Sequence, residues 1–183
     1  MTTKEPGYSG DAIKPPVEVE RKFLIDPDNI PEDLPVTVEM SLTQAYIAIA
    51  EDGSETRVRR TQTIDDEDGE CELTVKSKGG LARGEWNIPI SLPMFNELMP
   101  KTVGKIIEKM RLAIPHDGQT IELDIYKGEL EGLVVAEVEF KNTDEADAIA
   151  QSQSFNKPDW FGKELTEDKR YKNQALAVYG LPE

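Results

Sequence analysis

The sequence predicts a mainly β protein in which short antiparallel strands form a barrel or a sandwich. Eight candidate strands follow one another along a chain of 183 residues, and most of them are joined by tight turns. Predicted helices are few and lie between strands or near the C-terminal end. Runs of short strands linked by hairpins are typical of antiparallel barrels and sandwiches.

The first predicted strand, Val17–Ile25, carries a charged face. Successive side chains of an extended strand point to opposite sides, so Glu18, Glu20 and Lys22 share one face and apolar residues share the other. Two carboxylates about 6–7 Å apart along a strand suit a hard divalent cation, and the lysine suits an anion held by that cation. A solvated surface strand could carry the same charges, so this motif alone leaves both interpretations open.

The next three strands are predicted from hairpin signals. A strand at Leu42–Ala50 is followed by the turn Glu51–Ser54 and by a strand at Glu55–Ile64, because Asp-Gly between β-rich runs is a strong hairpin signal. An acidic turn over Asp65–Gly69 then leads to an alternating strand at Cys71–Ser77. These elements predict a continuous antiparallel meander.

The second half of the chain supplies the remaining strands and the helices. Lys78-Gly79-Gly80 opens a link to a strand at about Arg83–Ile90, and Ser91-Leu92-Pro93 predicts the cap and first turn of a short helix to about Met99. Further strands are predicted at Lys105–Ile114, Thr120–Tyr126 and Val134–Lys141. Further helices are predicted at Thr143–Ser152 and Leu165–Tyr179.

Composition predicts one domain whose overall charge repels polyanions. The chain has 21 Lys and Arg against 36 Asp and Glu, a formal net charge of −15, which disfavours nonspecific binding to nucleic acid or to an anionic membrane. Any polyanion must therefore be drawn into a local basic cavity. No stretch approaches the roughly 20 apolar residues of a membrane span. We expect residues 1–15 to form a loose arm and residues 16–183 to form one domain.

The single cysteine limits the cellular compartments and the kinds of metal site that the sequence is compatible with. Cys71 alone can form neither an intrachain disulfide nor a cysteine-based zinc site. A cytoplasmic location is the simple expectation, and the first fifteen residues carry no apolar run typical of a signal peptide.

The charged face of the first strand recurs on other strands, so that six strands have one charged or polar face and one apolar face. The recurring pairs are Arg57 and Arg59, Thr74 and Lys76, Lys109 and Arg111, Glu122 and Asp124, and Glu137 and Glu139. The basic residues lie mainly on the middle strands, whereas the acidic residues lie mainly on the first pair and the last pair of strands. This segregation fits a metal-bound polyphosphate, with acids holding the metal and guanidinium groups clamping phosphoryl oxygens. Periodicity alone does not separate a charged barrel interior from a solvated sandwich face.

These motifs resemble the signature of the CYTH, or triphosphate tunnel metalloenzyme, superfamily. The likeness covers nearly the whole chain after the arm. It includes Glu18-x-Glu20-x-Lys22, Arg57-x-Arg59, Leu73-Thr74-Val75-Lys76, Arg83-x-Glu85, Lys109-x-Arg111, Glu122-x-Asp124, Glu137-x-Glu139 and Glu164–Tyr171. The resemblance implies a mainly β fold, an eight-stranded antiparallel β-barrel tunnel with a few flanking helices, that binds triphosphate with Mg²⁺ or Mn²⁺. Asn87 departs from the pattern, because members often carry an acid there.

The resemblance also implies roles for individual residues. The metal ligands would be Glu18, Glu20, Glu137 and Glu139, while Glu122 and Asp124 would be further metal ligands or would orient basic neighbours. The phosphates would be held by Lys22, Arg57, Arg59, Lys76, Lys109 and Arg111. In short bacterial members a tyrosine on the second strand pairs with the lysine of Lys-x-Arg, and Tyr46 and Lys109 match this catalytic pair. A core or substrate-orienting role for Tyr46 stays open, because a phenolate requires a lowered pKa.

The function implied by the resemblance is metal-dependent hydrolysis of inorganic triphosphate to pyrophosphate and phosphate. A nucleoside triphosphate is a possible substrate, and a homodimer is compatible with the sequence. One alternative is an adenylate cyclase of the same barrel family, which would need a nucleoside-binding region. Another is a non-catalytic polyphosphate-binding domain, which would need the cations but few of the carboxylates.

Overall fold

The computed structural model describes residues 17–78, 84–142 and 145–183, apart from the side chains of residues 17, 18, 141, 142 and 145. The predicted arm, the two glycines of the predicted link and Arg83 lie outside these residues. The strands are β1 (Val17–Leu24), β2 (Val38–Ile49), β3 (Glu55–Thr63), β4 (Asp66–Lys76), β5 (Glu85–Ile90), β6 (Ile107–His116), β7 (Gln119–Tyr126) and β8 (Val134–Asn142). The α-helices are α1 (Leu92–Leu98), α2 (Glu145–Ser154) and α3 (Asn173–Tyr179), and short 3-10 turns lie at Pro27–Asn29, Met99–Lys101, Gly128–Leu130 and Lys169–Tyr171.

The eight strands form one antiparallel sheet in the order β1-β8-β7-β6-β2-β3-β4-β5. Among the described residues the two end strands, β1 and β5, do not pair with each other, so the sheet is curled but not closed. Both end strands nevertheless contribute side chains to one cavity, through Glu20 on β1 and Glu85 on β5. The predicted mainly β tunnel fold of eight antiparallel strands is thereby confirmed.

Helices α1 and α2 cover the outer, apolar side of the sheet, whereas α3 lies at one end of the cavity, where its first residues line the wall. Phe95 of α1 packs with Val58 and Cys71 of β3 and β4, and Ala148 of α2 packs with the outer residues of β1 and β8. Leu176 of α3 belongs to a third apolar cluster beside β2. Because the apolar faces point outwards under the helices, the charged faces of the same strands line the interior. The sequence alternative of a sandwich with solvated charges is therefore excluded.

The β3–β4 hairpin differs from its prediction, because the acidic segment Asp65–Gly69 is mostly strand rather than turn. The turn is confined to Ile64 and Asp65, and β4 already begins at Asp66. The guanidinium of Arg60 donates to the carbonyl oxygens of Glu67 and Asp68, which ties the acidic segment back to β3. Gly69 adopts φ 66° beside a break in the ladder, so the extra residues are accommodated as a bulge.

The C-terminal segment also differs from its prediction, since Leu165–Asp168 is not helical. The backbone N–H of Leu165 donates to the carbonyl oxygen of Lys22 at 2.7 Å, and the N–H of Lys22 donates to Oγ1 of Thr166 at 3.1 Å. These hydrogen bonds hold the segment in a non-helical conformation along the outer edge of β1, so the final helix begins only at Asn173. Gly162 starts the contact, and a Cβ atom there would lie 2.6 Å from the carbonyl oxygen of Leu24.

Within the part of the chain that the structure describes, every helix is too short or too polar to cross a membrane.

Candidate active site

A cavity of about 180 Å³ lies inside the curled sheet, and seven of the eight strands contribute side chains to it. The predicted site residues that line it are Glu20, Lys22, Tyr46, Arg57, Arg59, Lys76, Lys109, Arg111, Glu137 and Glu139. They meet because their strands place alternate side chains inwards, as the two-residue spacing predicts. The side chain of Glu18 lies outside the described part, although its backbone is in β1 opposite Lys141.

One side of the cavity carries Arg57 of β3 and Lys76 of β4, both held by Glu85 of β5. The Arg57 Nη2 atom lies 3.6 Å from Glu85 Oε1, and the Lys76 ammonium contacts the other carboxylate oxygen. Burial alone would raise the pKa of Glu85, but Lys76 and Arg57 lower this pKa to about 2. Glu85 is therefore a carboxylate at neutral pH and fixes two cations at the cavity wall.

Arg59 extends this basic wall along β3. Its guanidinium contacts Glu72, while burial and the neighbouring Arg57 lower its pKa. The Nε atoms of Arg57 and Arg59 are buried without a hydrogen-bond partner among the described residues. Such buried donors are costly unless a ligand or water accepts from them.

A second group of cations is built on β6 around Asp124 of β7. Arg111 donates from Nε to Oδ1 of Asp124 at 2.6 Å and from Nη2 to Oδ2 at 2.7 Å, and the Lys109 ammonium contacts the same carboxylate. Asp124 has no exposed surface and is absent from the cavity wall. Its position fits the orientation of the two cations better than direct contact with a ligand. Burial and Arg111 lower the pKa of Lys109.

Glu122 lies on the other side of Arg111, at a second cavity of about 570 Å³. Arg59 and Arg111 line both cavities, so the two spaces meet at these guanidinium groups. Burial raises the pKa of Glu122. The structure thus brings neither Glu122 nor Asp124 to the wall of the first cavity, where Glu20, Glu137 and Glu139 lie.

The acidic side of the cavity is formed by β1 and β8. The register places Glu20 opposite Glu139 and Lys22 opposite Glu137. The Lys22 ammonium lies 2.7 Å from Glu137 Oε1 and 3.5 Å from Glu20 Oε1, while Arg111 Nη2 lies 2.7 Å from Glu137 Oε2. Burial alone would raise the pKa of Glu137, but its cationic neighbours hold it well below its ordinary value. Glu137 is therefore a buried carboxylate shared between two cations.

Glu20 has the opposite electrostatic setting. Burial raises its pKa, and the carboxylates of Glu137 and Glu139 raise it further. Glu137 Oε1 makes its ion pair with Lys22 but has no partner with hydrogen-bond geometry among the described residues. Crowded carboxylate oxygens with open lone pairs suit a hard divalent cation, which would relieve their repulsion. The residues present therefore fit a hard divalent cation, although the described side chains contain no preassembled cluster of three or more ligands.

Tyr46 is almost completely buried, with 1% of its surface exposed, and its hydroxyl accepts a hydrogen bond from Gln44 Nε2 at 3.0 Å. Lys109 lines the same cavity, and its ammonium lies 5.5 Å from the ring centre of Tyr126. Gln44, Glu55 and Glu85 also line the cavity without a predicted role. Gln44 shares a strand face with Tyr46, and Glu55 shares one with Arg57. The two-residue spacing could therefore have predicted that both line the cavity.

The C-terminal segment closes one side of the cavity. Its lining residues are Thr166, Glu167, Lys169, Lys172, Asn173 and Gln174. The hydroxyl of Tyr126 donates to Asn173 Oδ1, which fastens the start of α3 to β7. Strand periodicity gives no signal for these residues, because they belong to turns and to the first turn of a helix.

Known proteins resemble the chain over most of its length. The inorganic triphosphatase of Nitrosomonas europaea is 42% identical over 165 residues, which are 88% of this chain and 97% of that protein. The inorganic triphosphatase of Acetivibrio thermocellus is 34% identical over 161 residues, which are 87% of this chain and 92% of that protein. No family model matches the sequence.

The fold gives the same relationship. The crystal structure of the inorganic triphosphatase NE1496 matches with a TM-score of 0.61 at 37% identity, and the match covers 91% of this chain and 97% of that one. Together with the charged cavity inside a curled eight-stranded sheet, this similarity means that the chain belongs to the inorganic triphosphatase family of the CYTH superfamily.

Proposed function

We propose that the protein hydrolyses inorganic triphosphate to pyrophosphate and phosphate inside its charged cavity. The observation that carries this proposal is one cavity in which the carboxylates of β1 and β8 lie together beside six cations. Glu20, Glu137 and Glu139 face the cavity from β1 and β8, and six cations face it from β1, β3, β4 and β6. Its relatives named inorganic triphosphatase support the same reaction.

The six cations would bind the phosphoryl oxygens of the substrate. They are Lys22, Arg57, Arg59, Lys76, Lys109 and Arg111. Charge on the transferred phosphoryl group and on the leaving pyrophosphate is best stabilised by donors that are already in place before the reaction. The buried Nε atoms of Arg57 and Arg59 are such donors.

The acidic side would hold a divalent cation, Mg²⁺ or Mn²⁺. Its ligands would be Glu18, Glu20, Glu137 and Glu139, while Glu122 and Asp124 would orient Lys109 and Arg111. Bound there, the ion would supply positive charge to the phosphate oxygens. The chain's own carboxylates would keep that charge close to the basic wall, so that the triphosphate is bound between the two sides.

Tyr46 and Lys109 are proposed as the catalytic pair. Water attacks the terminal phosphorus atom, and the bond between that atom and the bridging oxygen breaks, so that the bridging oxygen leaves with pyrophosphate. Tyr46 Oη would orient the attacking water, and the Lys109 ammonium would stabilise negative charge that develops nearby. Both groups line the cavity and are at most 2% exposed, so solvent only weakly screens their electrostatic interactions with the substrate.

We also propose that the enzyme works in the cytoplasm. The support is Cys71, a buried free thiol, which suits a reducing compartment.

Phosphate release from inorganic triphosphate tests the function directly. We expect release with Mg²⁺ or Mn²⁺, none with a chelator, and a loss of at least about 10²-fold in the Glu20→Gln variant. ATP and pyrophosphate are assayed in parallel, because the triphosphate of ATP offers the same oxygens. Formation of cyclic AMP from ATP without phosphate release from triphosphate would identify a cyclase instead. Binding of triphosphate without any turnover would identify a polyphosphate-binding domain.

A further inference from the structure

Gln44 is a buried amide next to the proposed catalytic tyrosine. Gln44 and Tyr46 occupy successive inward positions of β2, each has 1% of its surface exposed, and both line the cavity. Gln44 Nε2 donates to Tyr46 Oη at 3.0 Å. A buried amide requires partners, because the loss of its hydrogen bonds to water destabilises the fold when no partner replaces them. This hydrogen bond therefore fixes both side chains relative to each other.

The backbone of Gln44 is held more firmly by the sheet than the backbone of Tyr46. The ladder between β2 and β6 runs from Val38 to Gln44, which pairs with Ile107, and it ends there. The ladder between β2 and β3 is interrupted by a bulge directly after Tyr46. Beyond this point the carbonyl oxygen of Tyr46 accepts instead from Val103 N at 2.6 Å. Gln44 is thus the last residue of β2 held by strands on both sides, and Tyr46 stands where the sheet becomes irregular.

We propose that Gln44 is a positioning residue that holds the Tyr46 hydroxyl in its working orientation. Because the Gln44 N–H occupies one lone pair of Tyr46 Oη, the hydroxyl proton must point elsewhere, and the oxygen stays fixed at the cavity wall. The donated N–H also stabilises negative charge on that oxygen. This inference rests on the proposed function, in which Tyr46 orients the attacking water.

Several other groups face Tyr46 and contribute to its electrostatic setting. Those that line the same cavity are Glu55 and Arg57 of β3, Lys109 of β6, and Lys172 and Asn173 of the C-terminal segment. Tyr126 of β7 packs in the same cluster as Tyr46. Arg57 lies directly opposite Tyr46 in the ladder between β2 and β3. Burial lowers the pKa of Arg57, and Tyr46 is among the groups that raise it. All of these groups remain in a Gln44 variant, so a change in Tyr46 behaviour there reports the lost N–H.

The test is a double-mutant cycle between Gln44→Met and Tyr46→Phe. Methionine keeps the length of glutamine and lacks the donor. We expect Gln44→Met to lower kcat for triphosphate about tenfold, with KM changed less than about threefold, because one net hydrogen bond near charge is removed. In the Tyr46→Phe background the same change should have little further effect. Independent, multiplying effects would overturn the proposal.

A pH titration of Tyr46 separates a positioning role of Gln44 from a purely structural one, because a structural role alone would leave the titration midpoint of Tyr46 unchanged. Tyrosinate absorbance is followed with pH in the parent protein and in Gln44→Met, and the Tyr46→Phe protein identifies the signal of Tyr46. The midpoint for Tyr46 should rise in Gln44→Met, and the alkaline shift should recur in the pH profile of kcat. Ser152→Ala is the matched control, since Ser152 is a buried polar residue of α2, outside the cavity, whose hydroxyl donates to the carbonyl oxygen of Ile149.

The outcomes are distinguishable from failure of the proposed function. If the parent protein releases no phosphate from triphosphate, the function fails, while the titration still decides whether Gln44 controls the Tyr46 hydroxyl. An unchanged Tyr46 midpoint would overturn the inference whatever the activity. Should Gln44→Met not fold, Gln44→Glu keeps the shape of the side chain, and its carboxylate should raise the midpoint further.

Discussion

Glu85 fixes two of the cations that are proposed to bind phosphate, Arg57 and Lys76. Its side chain is 9% exposed, so solvent screens these contacts only weakly. The two-residue spacing predicted that Arg57 and Lys76 share a face with other charges, and the cavity confirms that both point inwards. The spacing could not give the partner of each cation, because partners come from neighbouring strands whose order the sequence does not state.

The pKa of Glu85 leads to a pH-dependent stability prediction. The value of about 2 in the folded protein lies below the ordinary glutamate value of about 4.3, so the carboxylate stabilises the fold above about pH 5. This contribution is lost as the pH falls towards 2. We expect Glu85→Gln to be less stable than the parent near pH 7 by on the order of 3 kcal/mol, and the difference should close near pH 2–3.

Urea unfolding at several pH values measures this difference. The control is Glu129→Gln, which removes a carboxylate that pairs with Lys105 at the surface and is 63% exposed. That variant should match the parent at every pH. A stability gap for Glu85→Gln that is the same at pH 3 and pH 7 would contradict the assignment.

Arg59 and Arg60 offer a matched pair of adjacent residues. Arg59 lines the cavity, whereas Arg60 points outwards and donates to carbonyl oxygens of the β3–β4 hairpin. Arg59→Ala should lower kcat/KM for triphosphate about 10²-fold, since a preorganised donor is lost. Arg60→Ala should stay within about threefold of the parent. Steady-state phosphate release measures both, and equal effects would remove Arg59 from the site.

At the scale of elements, the C-terminal segment departs most from its sequence prediction. Its acidic start and later apolar residues predicted one helix over Leu165–Tyr179, but only Asn173–Tyr179 forms an α-helix. The competing interactions are hydrogen bonds to the edge of β1, more than 140 positions away in the chain. Local propensity does not contain such distant contacts, whereas the strands, with their regular spacing, were located to within a few residues.

Asn173 provides a test of this element. Asn173→Ala removes the acceptor of the Tyr126 hydroxyl. Because Tyr126 is only 2% exposed, its hydroxyl would be left buried without this partner, which costs about 1–3 kcal/mol of stability. We expect amide exchange across α3 to accelerate about tenfold and KM for triphosphate to rise, because this segment lines the cavity. Hydrogen exchange followed by mass spectrometry measures the first effect.

Asn173→Asp is the matched control, because it retains an oxygen that can accept from Tyr126. It should keep the protection of α3 close to that of the parent. Unchanged exchange in Asn173→Ala would mean that other contacts hold the helix.

At the scale of the whole molecule, charge is distributed unevenly. The chain carries a net charge of −15, yet the six predicted phosphate-binding cations converge on one cavity. The recurrence of charged faces predicted this convergence once the sheet was taken to curl. The sheet order was not predictable, since β1 pairs with β8 and β6 lies beside β2 through contacts that no local pattern encodes.

Triphosphate should therefore stabilise the protein even in the presence of a chelator. At about 100 times its dissociation constant a ligand adds about 2.7 kcal/mol, which raises Tm by about 5–10 °C for a chain of this size. Circular dichroism melting curves measure the shift. Arg59→Ala should show a smaller shift at the same triphosphate concentration, and a full shift in that variant would contradict binding at the basic wall.

The cations of the cavity are already paired with carboxylates of the protein itself, so the cavity is not simply a region of positive charge. Each predicted phosphate-binding cation already contacts a carboxylate: Lys22 contacts Glu137, Arg57 and Lys76 contact Glu85, Arg59 contacts Glu72, and Lys109 and Arg111 contact Asp124. An incoming anion must compete with these built-in counter-ions, so only a densely charged one gains enough from many cations at once. We therefore expect chloride and singly or doubly charged metabolites, although abundant in a cell, to bind this cavity only weakly.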